Sequence, residues 1–112
     1  MAKTRWITEM GMGVDVHGGD YTKAARRAVS DALRHSSLNL FNATGKTRDD
    51  MFVDVIIGAA EPGQVDCGAV AEEVPYGTVT VTAQKGGLDV IAPSGDDVLI
   101  MANAAILVSF ED

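Results

Sequence analysis

The sequence predicts an α/β (α+β) fold: a two-layer sandwich whose mixed β-sheet carries two helices on one face, in the order β-α-β-α-β-β-β. Three stretches carry that expectation. Asp20 to Arg34 has apolar residues at helical spacing, Met51 to Gly58 is rich in Phe, Val and Ile, and Thr78 to Ala83 alternates threonine with apolar residues. A chain of 112 residues fits a single domain, residues 1–112, with no internal repeat, linker or low-complexity segment.

Trp6 to Gly13 reads as the first strand, in which glycine marks close backbone approach. It runs into a turn holding Gly18 and Gly19. From Asp20 to Arg34 the residues Ala24, Ala25, Ala28, Val29, Ala32 and Leu33 form one stripe, opposite Lys23, Arg26, Arg27 and Arg34. An alanine stripe permits close packing on a sheet but buries little area per residue. His35 to Asp50 reads as a polar loop with Leu38, Leu40 and Phe41 as anchors.

Met51 to Gly58, with Asp54 its one polar residue, suits a central strand covered on both faces. Glu61-Pro62-Gly63 opens a second helix over Gln64 to Glu73, closed by Pro75 and Gly77. The Thr78–Ala83 strand has one buried face, so the sheet has one partly exposed side. Leu88 to Ile91, Val98 to Met101 and Ala104 to Phe110 are further strand pieces, bracketed by Gly86-Gly87 and Pro93-Ser94-Gly95.

A formal charge of −7 and a pI near 4.6 argue against a nucleic-acid backbone or an anionic membrane as partner. The longest apolar run, Val98 to Phe110, is too short for a bilayer and is interrupted by Asn103 and Ser109. The first residues lack an apolar signal-peptide core. One cysteine, Cys67, forms no internal disulfide and no CxxC metal pair, which makes a reducing, cytoplasmic setting the expectation. Two helices leave one sheet face uncovered, so subunit contact is its simplest cover and a homo-oligomer, a trimer or higher, is expected.

The densest chemistry lies in Met10-Gly11-Met12-Gly13-Val14-Asp15-Val16-His17-Gly18-Gly19-Asp20. Asp15, His17 and Asp20 offer carboxylates and an imidazole for acid–base work. No metal pattern is completed, and neither a cofactor nor a metal is expected. Gly18 and Gly19 would admit a ligand closely, and Asp20 also suits the role of helix N-cap. Lys23 with Arg26 or Arg27 would bind an anionic group, although the Asp20 carboxylate competes for the helix amides. The spacing matches neither a P-loop nor a dinucleotide fingerprint, which excludes nucleoside triphosphates.

At the far end of the helix, His35, Ser36 and Ser37 form a second polar cluster, which invites a nucleophile reading but is explained better by dipole and turn chemistry. Glu9 and Asn103 interrupt apolar strands and are candidate pocket groups. A helix rise of about 1.5 Å per residue separates His17 from His35 by roughly 22 Å or more, so only neighbouring subunits would unite both clusters.

The run Gly11 to Val29, then His35-Ser36-Ser37-Leu38, resembles a family of small proteins of unknown function named after a hypothetical Listeria protein. The resemblance continues through Pro75-Tyr76-Gly77-Thr78-Val79 and Asn103-Ala104-Ala105, and implies no activity. The layout is similar to trimeric chorismate-mutase-like and YjgF-like folds, with sites between subunits. By analogy with ring-opening amidohydrolases such as cyanuric acid hydrolase and barbiturase, Lys23 with Ser36 or Ser37 would mimic their serine and lysine.

The expectation is therefore a binder of a small polar metabolite, performing hydrolysis or proton transfer at a subunit interface. His17 would be the acid or base and Asp15 its orienting group. The competing reading is a non-enzymatic assembly module.

Overall fold

The computed structural model describes residues 2–35, 41 and 44–112. Its strands are β1 (Lys3–Asp15), β2 (Phe52–Ala59), β3 (Thr78–Lys85), β4 (Leu88–Ile91) and β5 (Val98–Glu111). Two α-helices have all their residues described, α1 (Tyr21–Arg34) and α2 (Cys67–Ala71), and Phe41 and Thr44 are helical as well. The order of these elements is the expected one. The sheet runs β1-β5-β2-β3, with β4 pairing β5 beyond the end of β2. Only β2 and β3, joined through α2, are parallel; the pairings with β5 are antiparallel.

The core lies between this sheet and the helices. Val53, Val55 and Ile57 of β2 and Ile100, Ala104 and Ile106 of β5 are buried there, beneath Ala24, Ala25, Ala28, Val29 and Ala32 of α1. The alanine stripe is matched by glycine on the strand below it. A Cβ at Gly13 would lie 2.3 Å from the Ala24 carbonyl oxygen and 2.4 Å from the Ala28 nitrogen. One at Gly11 would lie 2.5 Å from the Ala32 nitrogen. Helix backbone therefore rests on strand backbone, and small residues on both sides are a steric requirement. Along the outer edge of β1, Met12 N–H donates to Asp31 (3.0 Å) and Val14 C=O accepts from Arg27 (2.6 Å), so α1 covers edge groups that would otherwise invite strand pairing.

Three elements differ from the sequence expectation. The second helix is shorter than Gln64 to Glu73 because Pro62–Gln64 forms a 3-10 turn and Asp66 caps at the Ala69 amide, 3.1 Å away. The two C-terminal strand pieces are one strand, β5, because Asn103 projects from the face opposite α1, which no helix covers among the described residues, and costs the ladder nothing. Central β2 is covered on one face only: Val53, Val55 and Ile57 are buried, while Asp54 is exposed. Phe41 does anchor its segment, packing edge-on against Phe110 at 6.4 Å between ring centres. Leu38 and Leu40 lie outside the described residues.

Candidate functional site

β1 ends at Asp15, which points beneath α1 and is 3% exposed. A buried carboxylate needs partners. Asp15 accepts the Asp20 N–H at 2.9 Å, and Lys23 and Arg27 stand over it at 3.9 and 3.8 Å. Asp20 is the N-cap of α1, as its position in the sequence suggests, accepting the Lys23 N–H at 3.0 Å. Gly18 and Gly19 have φ of +92° and +61°, left-handed angles that let the chain turn from the strand into the helix.

His17 takes a different partner from the one the sequence suggested. Its Nδ1 lies 3.0 Å from Asp97 Oδ2, and Gly18 N–H donates to Asp97 Oδ1 at 3.3 Å, while Asp15 is occupied beneath the helix. The bond from His17, then those from the Val98 and Gly18 amides, hold the Asp97 carboxyl below its ordinary pKa. An ionised Asp97 fixes the proton of His17 on Nδ1 and leaves Nε2 as the basic nitrogen. The imidazole is 86% exposed, so that nitrogen faces solvent. Three carboxylates, Asp97, Asp15 and Asp20, thus accept from the Gly18, Asp20 and Lys23 amides, and an anion would compete with them for this backbone.

An anion would instead meet side chains. A hollow of about 490 Å³ along α1 is lined by Lys23, Arg26, Arg27, Thr22, Ser30 and, with Asp20, by Glu73. Arg26 Nε donates to Glu73 at 2.7 Å, and Asp66 N–H donates to Thr22 Oγ1 at 2.9 Å, which ties the α2 end of the hollow to α1. Three cations face two carboxylates on its lining. A second hollow of about 460 Å³, lined by Gly18, Gly19, Ile91, Asp97 and Val98, lies on the other side of the glycine turn.

The other predicted groups stand apart. His35 is the C-cap of α1, with Nε2 3.4 Å from Asp31, and α1 separates it from His17. Ser36 and Ser37 lie outside the described residues. Asn103 is on the helix-free face, accepting the Gly87 N–H at 3.1 Å, opposite the face into which Asp15 points. Glu9 pairs in register with Ile106. Among the described residues no cluster of His, Cys, Asp and Glu has metal-binding geometry, and no helix is long and apolar enough to cross a membrane.

Sequence reasoning passed over Asp97, which is 80 residues from its partner. The signal was topological: once β1 and β5 pair with Asp15 opposite Ile100, the residues after Asp15 meet those before Ile100. Tyr21 and Asp89 were also missed. Across β1, β5 and β4 the register sets Asp15, Ile100 and Asp89 in one row under the start of α1. The Tyr21 hydroxyl donates to Asp89 there, and that bond, with burial and the charges of Asp89 and Glu61, pushes the Tyr21 pKa up to about 12.

A model of conserved hypothetical proteins, the Lin0512 family, matches residues 5–108. A crystal structure described as an FtsZ-like protein of unknown function from Nostoc punctiforme is 36% identical. It superposes with a TM-score of 0.88, over 100% of this chain and 99% of that one. No curated protein matches the chain.

Proposed function

The chain belongs to the Lin0512 family, and on that footing we propose that it binds a small, negatively charged polar metabolite in the hollow along α1 and performs proton transfer or hydrolysis beside it. The observation that carries this reading is the convergence of Lys23, Arg26 and Arg27 on one hollow in a chain of net charge −7. Its volume of about 490 Å³ falls within the range of metabolite sites. Arg26 is held by Glu73 and Arg27 by Val14, so both are preorganised, and Thr22 and Ser30 add hydroxyls for orientation.

At the adjoining turn His17 would accept a proton through Nε2, with Asp97 in the orienting role first assigned to Asp15. Asp97 would also stabilise the imidazolium so formed. The setting proposed is the cytoplasm, in keeping with one free thiol, Cys67. The second reading, a homo-oligomeric assembly module, is favoured by the sheet face opposite α1, which nothing covers among the described residues.

The test is a thermal-shift screen of small carboxylates, cyclic amides and phosphorylated metabolites on the wild type, Lys23→Gln and His17→Ala. The expected result is a ligand that raises the wild-type Tm, raises that of Lys23→Gln much less, and still raises that of His17→Ala. An equal shift in Lys23→Gln, or none with any compound, removes the reading.

A further inference from the structure

The face of the sheet opposite α1, which no helix covers among the described residues, has a composition unlike that of an ordinary solvent-facing sheet. Four rows of outward positions cross it: Met10, Ala105 and Ile56; Met12, Asn103 and Gly58; Val14, Met101 and Leu88; Leu99 and Val90. None is ionisable. Met10 is 67% exposed, Leu88 56%, and Met12 and Val90 51% each. The charged residues nearest in register, Asp54 and Arg5, lie beyond these rows, opposite Leu107 and Ser109. A charge-free apolar patch of this kind marks a contact surface.

Asn103 stands in the middle of it, flanked by Met12 and Gly58 within its row and by Ala105 and Met101 along its strand. Its Oδ1 accepts the Gly87 N–H at 3.1 Å and has a second lone pair, while its Nδ2 meets only the weak acceptor Met101 Sδ, at 3.6 Å. A primary amide is both donor and acceptor, so another Asn103 is its natural complement. Covering the patch with an apolar surface that lacked such a group would strand the Asn103 amide donors.

We infer that this face binds a second copy of the chain, sheet against sheet, about a two-fold axis passing between the two Asn103 amides. Each amide donates Nδ2–H to the Oδ1 of the other and so fixes the register of a contact otherwise made by adaptable methionines. Two identical twisted sheets pack face to face in this way at about −30°. The four rows span seven residues of β5, Leu99 to Ala105, a length of about 23 Å, and three strands abreast span about 14 Å. The flat footprint is therefore roughly 320 Å² per copy, or about 650 Å² for the pair, the size of a weak, concentration-dependent contact. The symmetry gives a dimer, or an even-numbered assembly, where the sequence led to the expectation of a trimer or higher. It leaves the hollow along α1 on the outside, so the inference stands independently of the ligand reading.

The experiment is sedimentation of the full chain at about 100 µM, a concentration that populates a weak contact. Three proteins are compared: the wild type, Met12→Glu and Asn103→Asp. The expected wild-type mass is twice 11.7 kDa, and added salt strengthens association by screening the net charge of each copy. Met12→Glu, at an exposed position, sediments at 11.7 kDa with its circular dichroism unchanged. Asn103→Asp keeps an acceptor for Gly87 but sets two carboxylates against each other, so it is monomeric at pH 7 and regains the dimer near pH 4, where carboxyls protonate. A monomeric wild type overturns the inference, as does a folded Met12→Glu that still dimerises. An Asn103→Asp dimer indifferent to pH overturns the two-fold placement at Asn103.

Discussion

The two faces of the sheet are built on opposite rules. Under the helices the contacts are of backbone on backbone, with alanine against glycine and the α1 alanines fully buried. On the other side the side chains are long, apolar and half-exposed, with methionine prominent. A close-packed face tolerates no change of volume, whereas an open face made of flexible side chains accepts several neighbours. Fold specification is concentrated on the first face, and capacity for association on the second.

Adjacent residues of β1 break the comparison most sharply. Gly13→Val places a Cβ on the carbonyl oxygen of Ala24 and the amide of Ala28, and both are helix backbone that cannot swing aside. The expected loss exceeds the roughly 3 kcal/mol of ordinary overpacking, enough to abolish the cooperative thermal transition seen by circular dichroism. Met12→Thr, one residue away on the open face, changes the stability of the dilute chain by no more than about 0.5 kcal/mol. Similar losses in both variants would mean that the two faces are not differently built.

The contrast was partly legible in the sequence. Helical spacing located α1 within a residue, and the threonine alternation gave the half-buried β3, because local periodicity and one-sided burial coincide there. Alanines at 24, 25, 28 and 32 announced close packing, and Asp20 announced its capping role. The His17–Asp97 pair was not legible, since it depends on the first and last strands being neighbours. Asn103 was singled out as a polar residue in an apolar strand, but its face could not be assigned until β5 proved to be unbroken. Asp15 was expected beside His17 because an extended segment puts both on one side. The turn at Gly18 and Gly19 separates them, drawing Asp15 under the helix.

The second prediction concerns the row beneath the start of α1. Tyr21→Phe leaves Asp89 without its hydroxyl donor, and losing a hydrogen bond to a charged group is expected to cost about 2 kcal/mol at pH 7, read from urea unfolding. Alkali gives an independent readout. The folded Tyr21 pKa is about 12, against about 10 when unfolded. Its contribution is therefore fully present below pH 10 and is lost as the pH rises from 10 to 12. The wild type should lose Tm across that window more steeply than Tyr21→Phe; parallel profiles would show that Tyr21 is not the group responsible.

Asp20→Ala should cost about 1 kcal/mol through the lost cap of α1. Asp20→Asn, which retains a cap acceptor, should recover most of it. If the two variants are equally destabilised, the charge of Asp20 on the lining of the hollow matters more than the cap.

The smallest effect on stability is expected at His17, which is why it is informative. The imidazole is exposed and its pair with Asp97 is screened by solvent, so His17→Ala should leave Tm unchanged at pH 7. The electrostatic change should nevertheless be plain. His17 is the largest of the influences holding down the Asp97 pKa, so its removal should raise the Asp97 titration followed by NMR. The Val98 and Gly18 amides, still bonded, should keep it below the ordinary carboxylate value. An unchanged Tm with a raised Asp97 pKa describes a pair kept for its chemistry. A fall in Tm as large as that of Asp20→Ala would make the pair a clasp between the first and last strands, and the glycine turn would then belong with the close-packed face.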